Sequence, residues 1–287
     1  MEQHDRLIAE ADKLRHDRGG VNAVDRSKLS LDEVRNATIA ALPPLPTDRP
    51  VATLDAGVVR VGVSGAARKI VLLHGGGFLV GDQRAMLPLA EALVDALDAT
   101  VYLPRYRLAP EHSLEEIVND AIAGVTVAVN DGDVATAVTV VGHSAGAYLA
   151  ARASFALSAA APIGATVLLA PMLYPDMQSP SIDEWATGQL LTRTEVEWFW
   201  SGTLGDPPAP LADIDTFVPA TPPQLLIVTA GCDPLRDDGA RFFAQLEARG
   251  MPARYVCFDG ALHTQLNGQL PVAREVLSAL IASVAVA

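Results

Sequence analysis

With 287 residues, half of them hydrophobic, the chain can bury a substantial core and is unlike a disordered polypeptide. Its formal charge of −13, with no basic run, argues against a nucleic-acid partner. Two cysteines, Cys232 and Cys257, cannot build a disulfide framework and read as buried free thiols of a reducing compartment.

No apolar stretch is long enough to cross a bilayer, and the charged segment from Met1 to Gly20 lacks the apolar core of a signal peptide, so a cytoplasmic protein is expected. The length suits one large α/β domain with a small appendage. Over the first 42 residues, Leu7, Ile8, Ala11 and Leu14 share one helical face. Ser30-Leu31-Asp32-Glu33 reads as the capped start of a second helix, and Pro43-Pro44-Leu45-Pro46 ends the segment in a stiff connector. This arm is expected to pack on the main domain.

From Val51 the texture changes to strands. Val58–Val63 alternates weakly and Lys69–Leu73 reads as a buried strand, which runs straight into His74-Gly75-Gly76-Gly77-Phe78. Three consecutive glycines cost backbone entropy. Neither Gly-Lys-Ser/Thr nor Gly-x-Gly-x-x-Gly is present, which disfavours a phosphate or dinucleotide cradle. The reading that remains is a loop whose bare N–H groups face a developing oxyanion. A helix over Gln83–Leu97, a strand over Ala99–Leu103, a charged loop over Tyr106–His112 and a helix over Leu114–Val129 are expected next. The proline and charges of that loop suggest a structural clamp.

After a turn at Asn130-Asp131-Gly132, the β-branched run Ala137–Val141 reads as a strand and Ala145–Leu157 as a helix. Between them stands Gly142-His143-Ser144-Ala145-Gly146. Gly-x-Ser-x-Gly by itself is compatible with an ordinary helix start. The strand before it and the helix after it favour a sharp turn that exposes Ser144 Oγ as a nucleophile. The Ala145 N–H then lies at a helix N-terminus, where it can stabilise negative charge. The alternation of strands and helices implies a largely parallel sheet covered on both faces.

Ala165–Ala170 is a further strand, followed by an irregular stretch from Pro171 to about Pro223 that holds Trp185, Trp198 and Trp200. That stretch is too long for a plain loop and should carry its own helices, one of them over Thr192–Trp200 with Thr192 or Thr194 as N-cap. Its aromatics suit either anchors or a lid over an acyl pocket. The strand Gln224–Ala230 ends at Asp233, which is well placed to accept from a histidine. Asp237 and Asp238 read instead as charges at the start of a helix over Asp238–Arg249. A strand over Ala253–Phe258, a loop over Asp259–His263 and a helix over Pro271–Val286 complete the chain.

Ser144, Asp233 and His263 follow the chain order of an α/β-hydrolase. More narrowly, the sequence resembles the hormone-sensitive-lipase-like esterases (bacterial family IV). Four stretches carry the likeness: His74–Phe78, Tyr106–Glu111, Gly142–Gly146 and Asp233–Asp237. The resemblance implies an α/β-hydrolase fold, with a mostly parallel central sheet, helices on both faces and a helical cap. Residues 1–45 would form an arm contributing to that cap. Residues 46–287 would form the catalytic domain, with a cap insertion at about 171–223.

The resemblance implies Ser144 as nucleophile, His263 as general base and then acid, Asp233 as the orienting carboxylate, and Gly76, Gly77 and Ala145 as oxyanion donors. The implied activity is a serine carboxylesterase for short- to medium-chain esters that works through an acyl-enzyme. An amidase or deacylase, similar to kynurenine formamidases, would use the same triad. A non-catalytic binder is disfavoured because every triad position is filled. Two departures stand out: His143 where Asp is commonest, and Thr264-Gln265-Leu266 where Gly-Phe is usual. Both are expected to touch the pocket. No metal-ligand spacing appears among the six histidines, and no cofactor is expected. The expected partner is a small-molecule ester, without nucleic acid or membrane insertion, and homodimerisation stays open.

Overall fold

A computed structural model describes residues 2–17, 26–46, 48–132, 136–187 and 190–285. Eight strands make one sheet: β1 (Val51–Thr53), β2 (Val59–Val61), β3 (Arg68–Leu73), β4 (Ala99–Leu103), β5 (Val138–His143), β6 (Ile163–Leu169), β7 (Gln224–Cys232) and β8 (Ala253–Leu262). Their order is β1-β2-β4-β3-β5-β6-β7-β8. The six strands from β4 to β8 pair in parallel, and β1 and β2 add antiparallel at one edge. The largely parallel sheet expected from the alternating pattern is present, in the α/β-hydrolase arrangement that the family resemblance implies.

The central strands are apolar at nearly every position because each of their faces is covered. In β3, Val71 and Leu73 enter one core while Ile70 and Leu72 enter the other. In β7, Leu225 and Ile227 oppose Leu226 and Val228 in the same way. The first face is covered by α4 (Leu114–Asn130), α5 (Ala145–Leu157) and α8 (Arg236–Ala248). The second is covered by α3 (Leu87–Leu97) and α9 (Pro271–Ala282). The two-residue side-chain period of a strand thus makes two cores from one continuous apolar run.

Two element boundaries differ from the sequence expectation. The helix read from Gln83 begins as a 3₁₀ turn over Gln83–Met86, and α3 starts only at Leu87. Pro88 has no N–H to give to the carbonyl of Arg84, so an unbroken α-helix cannot pass through it. The strand read over Ala253–Phe258 runs on to Leu262, with the register shifting so that Cys232 faces Leu262. His263 therefore leaves the sheet directly, without the loop expected before it. Cys232 is buried, as expected, but Cys257 is only half-buried because β8 is an edge strand; neither is joined in a disulfide.

The N-terminal segment carries α1 (Glu2–Asp17) and α2 (Leu31–Ala40). Leu7 and Ala11 of α1 are fully buried against β8 and its surroundings. Glu10 accepts from the Val272 and Ala273 N–H groups at 3.0 and 3.3 Å, satisfying orphan donors at the start of α9. Gln265 is buried; its Nε2 donates to the Leu7 carbonyl at 3.0 Å and its Oε1 accepts from Leu262 N–H at 2.8 Å. The unusual Thr264-Gln265 sequence thus supplies a tether between α1 and the segment that bears His263. From α2, the Arg35 guanidinium donates to the Leu79 and Ala109 carbonyls and pairs with Glu111 at 2.7 Å. The clamp expected at Tyr106–His112 is therefore closed by the arm.

The 171–223 stretch holds α6 (Pro180–Glu184), α7 (Arg193–Leu204) and a 3₁₀ turn at Ile214–Phe217. Thr192 caps α7 in a reciprocal box with Glu195. Asp238, read from sequence as a dipole charge, is buried and accepts from Leu173 N–H, Tyr174 N–H and Ser179 Oγ–H. Asp237 accepts from Ser181 N–H. Both aspartates anchor the start of this excursion to α8. Among the described residues, no helix is long and apolar enough to cross a membrane.

Candidate active site

Parallel pairing brings the chemistry-bearing loops to one edge of the sheet. Leu73, the last residue of β3, lies opposite Gly142, and His143 lies opposite Leu169. The glycine loop and the serine turn therefore leave adjacent strands side by side, where α/β sheets commonly bind ligands.

Ser144 sits between β5 and α5 with φ 56° and ψ −122°, a strained conformation for a residue with a Cβ. Its N–H donates to the Leu169 carbonyl at 2.9 Å, which fixes the turn. A Cβ on Gly142 would stand 2.0 Å from the Gly146 carbonyl oxygen, and one on Gly146 would stand 2.2 Å from that of His74. Only hydrogen fits at either place. The two flanking glycines are thus packing requirements of a sharp strand-to-helix turn.

His263 lies at the end of β8, and its Nδ1–H donates to Asp233 Oδ2 at 2.7 Å. The carboxylate is fully buried and its Oδ1 accepts from Leu235 N–H at 2.9 Å. This pairing leaves Nε2 of His263 as the ring nitrogen with the lone pair. Asp237 and Asp238, by contrast, are committed to the excursion. Ser144 and His263 line one cavity of about 320 Å³. Among the described residues, no hydrogen bond joins Ser144 Oγ to the imidazole.

Gly76 and Gly77 line the same cavity. Among the described residues, their N–H groups and that of Ala145 have no acceptor. The loop that holds them is supported from behind by His74, whose ring stacks on Tyr106 with centroids 4.2 Å apart. Its Nδ1 donates to the Gly75 carbonyl at 2.7 Å, and Tyr106 O–H donates to the His74 carbonyl at 2.8 Å. Burial pushes His74 down to about 4, so the ring is neutral at ordinary pH.

His143 points forward as well as supporting the turn. Its Nε2 donates to the His263 carbonyl at 3.2 Å, its ring lies 4.9 Å from that of His263, and it lines the cavity. Burial, with His263 as a neighbouring cation when protonated, pushes it down to about 3. The arm and the excursion supply part of the remaining wall, including Arg26, Thr38, Leu191, Val196 and Phe199. The arm residues carried no signal in the sequence, because nothing local marks a side chain that meets its partners more than a hundred positions away. A larger cavity of about 620 Å³ lies behind His74, among Arg35, Arg105 and Tyr106, and does not reach Ser144.

A serine at a strained turn beside a histidine–aspartate pair and bare N–H groups, on a mostly parallel sheet, defines the class of α/β-hydrolases. The α/β-hydrolase fold family matches residues 70–267. The carboxylic ester hydrolase LipN of Mycobacterium tuberculosis is 31% identical, over 80% of this chain and 67% of its own length. The ethyl acetate hydrolase of Pseudomonas putida is 28% identical, over 70% of this chain and 66% of its own. An esterase/lipase structure from an uncultured bacterium superposes with a TM-score of 0.79 at 20% identity, covering 97% of each chain, which bears on the fold. The chain belongs to the α/β-hydrolase fold family, and within it to the hormone-sensitive-lipase-like (family IV) esterases.

Proposed function

We propose that the protein is a serine carboxylesterase that hydrolyses short- to medium-chain esters through an acyl-enzyme at Ser144. The observation that carries this reading is the convergence, on one cavity of about 320 Å³, of the Ser144 turn, the His263–Asp233 pair and the N–H groups of Gly76 and Gly77. The kinship with carboxylic ester hydrolases supports the choice of ester.

Ser144 Oγ attacks the ester carbonyl while His263 Nε2 takes its proton. Asp233 holds the ring with Nδ1–H inward and stabilises the imidazolium. The tetrahedral oxyanion forms against the N–H groups of Gly76, Gly77 and Ala145, which are already oriented and need no reorganisation. His263 then protonates the departing alkoxide, and water repeats the sequence to release the acid. The missing hydrogen bond between Ser144 and His263 suits this scheme, because such contacts tighten when substrate displaces water.

We assign residues 1–45 and about 171–223 to a cap over the catalytic domain 46–287, since both supply walls of the cavity. A serine-directed organophosphate should add once, on the peptide containing Ser144, and Ser144→Ala should abolish both labelling and turnover. Labelling elsewhere, or a fully active Ser144→Ala enzyme, would remove the nucleophile assignment.

A further inference from the structure

The reaction scheme leaves one charged side chain in the cavity unused. Arg26 comes from the arm, yet it lines the same cavity as Ser144 and His263. Its Nε donates to Glu195 Oε1 at 2.6 Å. Glu195 is fully buried, and its other oxygen accepts from the backbone N–H of Thr192, the N-cap of α7, at 3.0 Å. The guanidinium carbon lies 5.4 Å from the centroid of the Phe199 ring. That ring in turn lies directly on the oxyanion loop: a Cβ on Gly77 would stand 2.0 Å from Phe199 Cδ1. Arg26 is thus held from two sides, one turn of α7 away from the glycines.

The terminal nitrogens Nη1 and Nη2 have no hydrogen-bond partner among the described residues. The Arg26 side chain is one third exposed, and no Asp or Glu lines the cavity among the described residues. An arginine that served only as a tether between the arm and α7 would engage the buried carboxylate with its two-pronged terminal face, the geometry that makes the strongest such pair. Here the tether uses Nε, and the terminal nitrogens remain for something else.

We propose that Arg26 is a specificity-determining residue that receives a carboxylate on the substrate, so that the preferred esters are anionic, such as hemiesters of short dicarboxylic acids. The inference rests on the esterase reading above and deepens it. Two amide-like N–H donors in a rigid plane match a carboxylate bidentately, and Glu195 pre-pays the ordering of the side chain. The molecule as a whole is strongly acidic, so an anionic substrate gains nothing from the net field. Glu195 offsets much of the Arg26 charge, so what the site offers such a substrate is the unengaged donor face of the guanidinium. Anionic esters carry that carboxylate on either the acyl or the alcohol side of the scissile bond.

Two matched pairs of esters separate these cases. Mono-(4-nitrophenyl) glutarate against 4-nitrophenyl butyrate tests the acyl side, and 4-acetoxybenzoate against phenyl acetate tests the alcohol side. In one pair, kcat/KM of the native protein should favour the anionic member, and Arg26→Gln should lower that ratio by about tenfold or more, mainly through KM. Arg26→Lys should retain part of it. Because Arg26→Gln leaves Glu195 buried without its partner, the double variant Arg26→Gln/Glu195→Gln, which removes both charges, should show the same loss of ratio.

A ratio that is unchanged in both pairs, or a uniform fall for anionic and neutral members alike, would mean that Arg26 is a tether only. Should no ester be turned over, the esterase reading fails first, and calorimetry with glutarate then decides on Arg26 by itself. Binding by the native protein that is lost in the double variant supports the carboxylate site, and absence of binding overturns it.

Discussion

Ser144 is held with φ 56°, where a side chain costs on the order of 1–3 kcal/mol. The cost stays because the elbow is clamped by strand pairing on one side and by the close contact of Gly142 with Gly146 on the other. Replacing Ser144 by Gly and by Ala should therefore inactivate the enzyme equally but not stabilise it equally. The Gly variant should be more stable to urea by about 1 kcal/mol, because only it relieves the backbone. Equal midpoints would mean that the turn is not strained. The same scale separates the aspartates. Asp233→Asn should leave the fold intact and reduce kcat by about 10⁴, through the wrong tautomer of His263. Asp237→Asn and Asp238→Asn should change stability and leave turnover within a few-fold, since both carboxylates hold the 171–223 excursion. A reversed ranking in steady-state assays would displace Asp233 from its role.

Among the elements, α1 docks in an unusual way. It caps another helix: Glu10 accepts from the first N–H groups of α9, while Gln265, two residues after His263, donates to the α1 backbone at Leu7. Helix capping by a side chain is worth about 1 kcal/mol, and a buried unpaired amide costs a comparable amount. Glu10→Ala should therefore lower the denaturation free energy by roughly 1–2 kcal/mol. Its kcat on a neutral ester should change far less than its stability, because α1 grips the outer side of the His263 segment. A variant as stable as the parent would show that the arm is held by Leu7 and Ala11 alone.

For the molecule as a whole, buried titrating groups set how stability depends on pH. His74 and His143 stay neutral in the fold down to about 4 and about 3, against 6.5 for an ordinary imidazole. Between about pH 4 and 6.5 the unfolded chain binds protons at these sites that the folded chain does not. Their contribution is thus fully present above 6.5 and lost as the pH falls. Asp238 works in the opposite sense: burial raises it to about 7, so the fold keeps a proton that the unfolded chain releases near 3.8. Two histidines outweigh one carboxyl by close to one proton between about pH 4.5 and 5.5, so these three groups make stability rise there by about 1 kcal/mol per unit, flattening toward 6.5 as the unfolded imidazoles lose their protons. Asp238→Asn should steepen that rise; a shallower slope in chemical denaturation would contradict the assignment. Catalytic selectivity belongs to this scale too. The two polar departures from the family pattern beside His263 are both engaged elsewhere: Gln265 is consumed by α1, and His143 donates to the His263 carbonyl, so neither is free to serve a poor leaving nitrogen. A short aryl ester should exceed its anilide in kcat/KM by at least about two orders of magnitude, near 3 kcal/mol at the transition state. Comparable rates on the two would favour an amidase.

The sequence by itself determined the elements and the order of the chemistry. Val138–His143, Ser144 and α5 form a strand, turn and helix because β-branched residues, two small flanking residues and an alanine-rich run each act on their near neighbours. The same locality made His74–Phe78 and Asp233 legible as strand ends. Boundaries went astray at Gln83, where Pro88 breaks the ladder five residues later, and at Asp259–Leu262, where pairing with β7 overrides a turn-like composition. Tertiary structure alone decided the partners. Arg26 meets Glu195 169 positions away, Gln265 meets Leu7 258 positions away, and Asp238 reaches back to Leu173, 65 positions earlier. Such contacts depend on where whole elements dock, and docking is set by apolar faces that many polar residues could border equally well. A periodic pattern marks the face that is buried, but it carries no label for the side chain that will be waiting there.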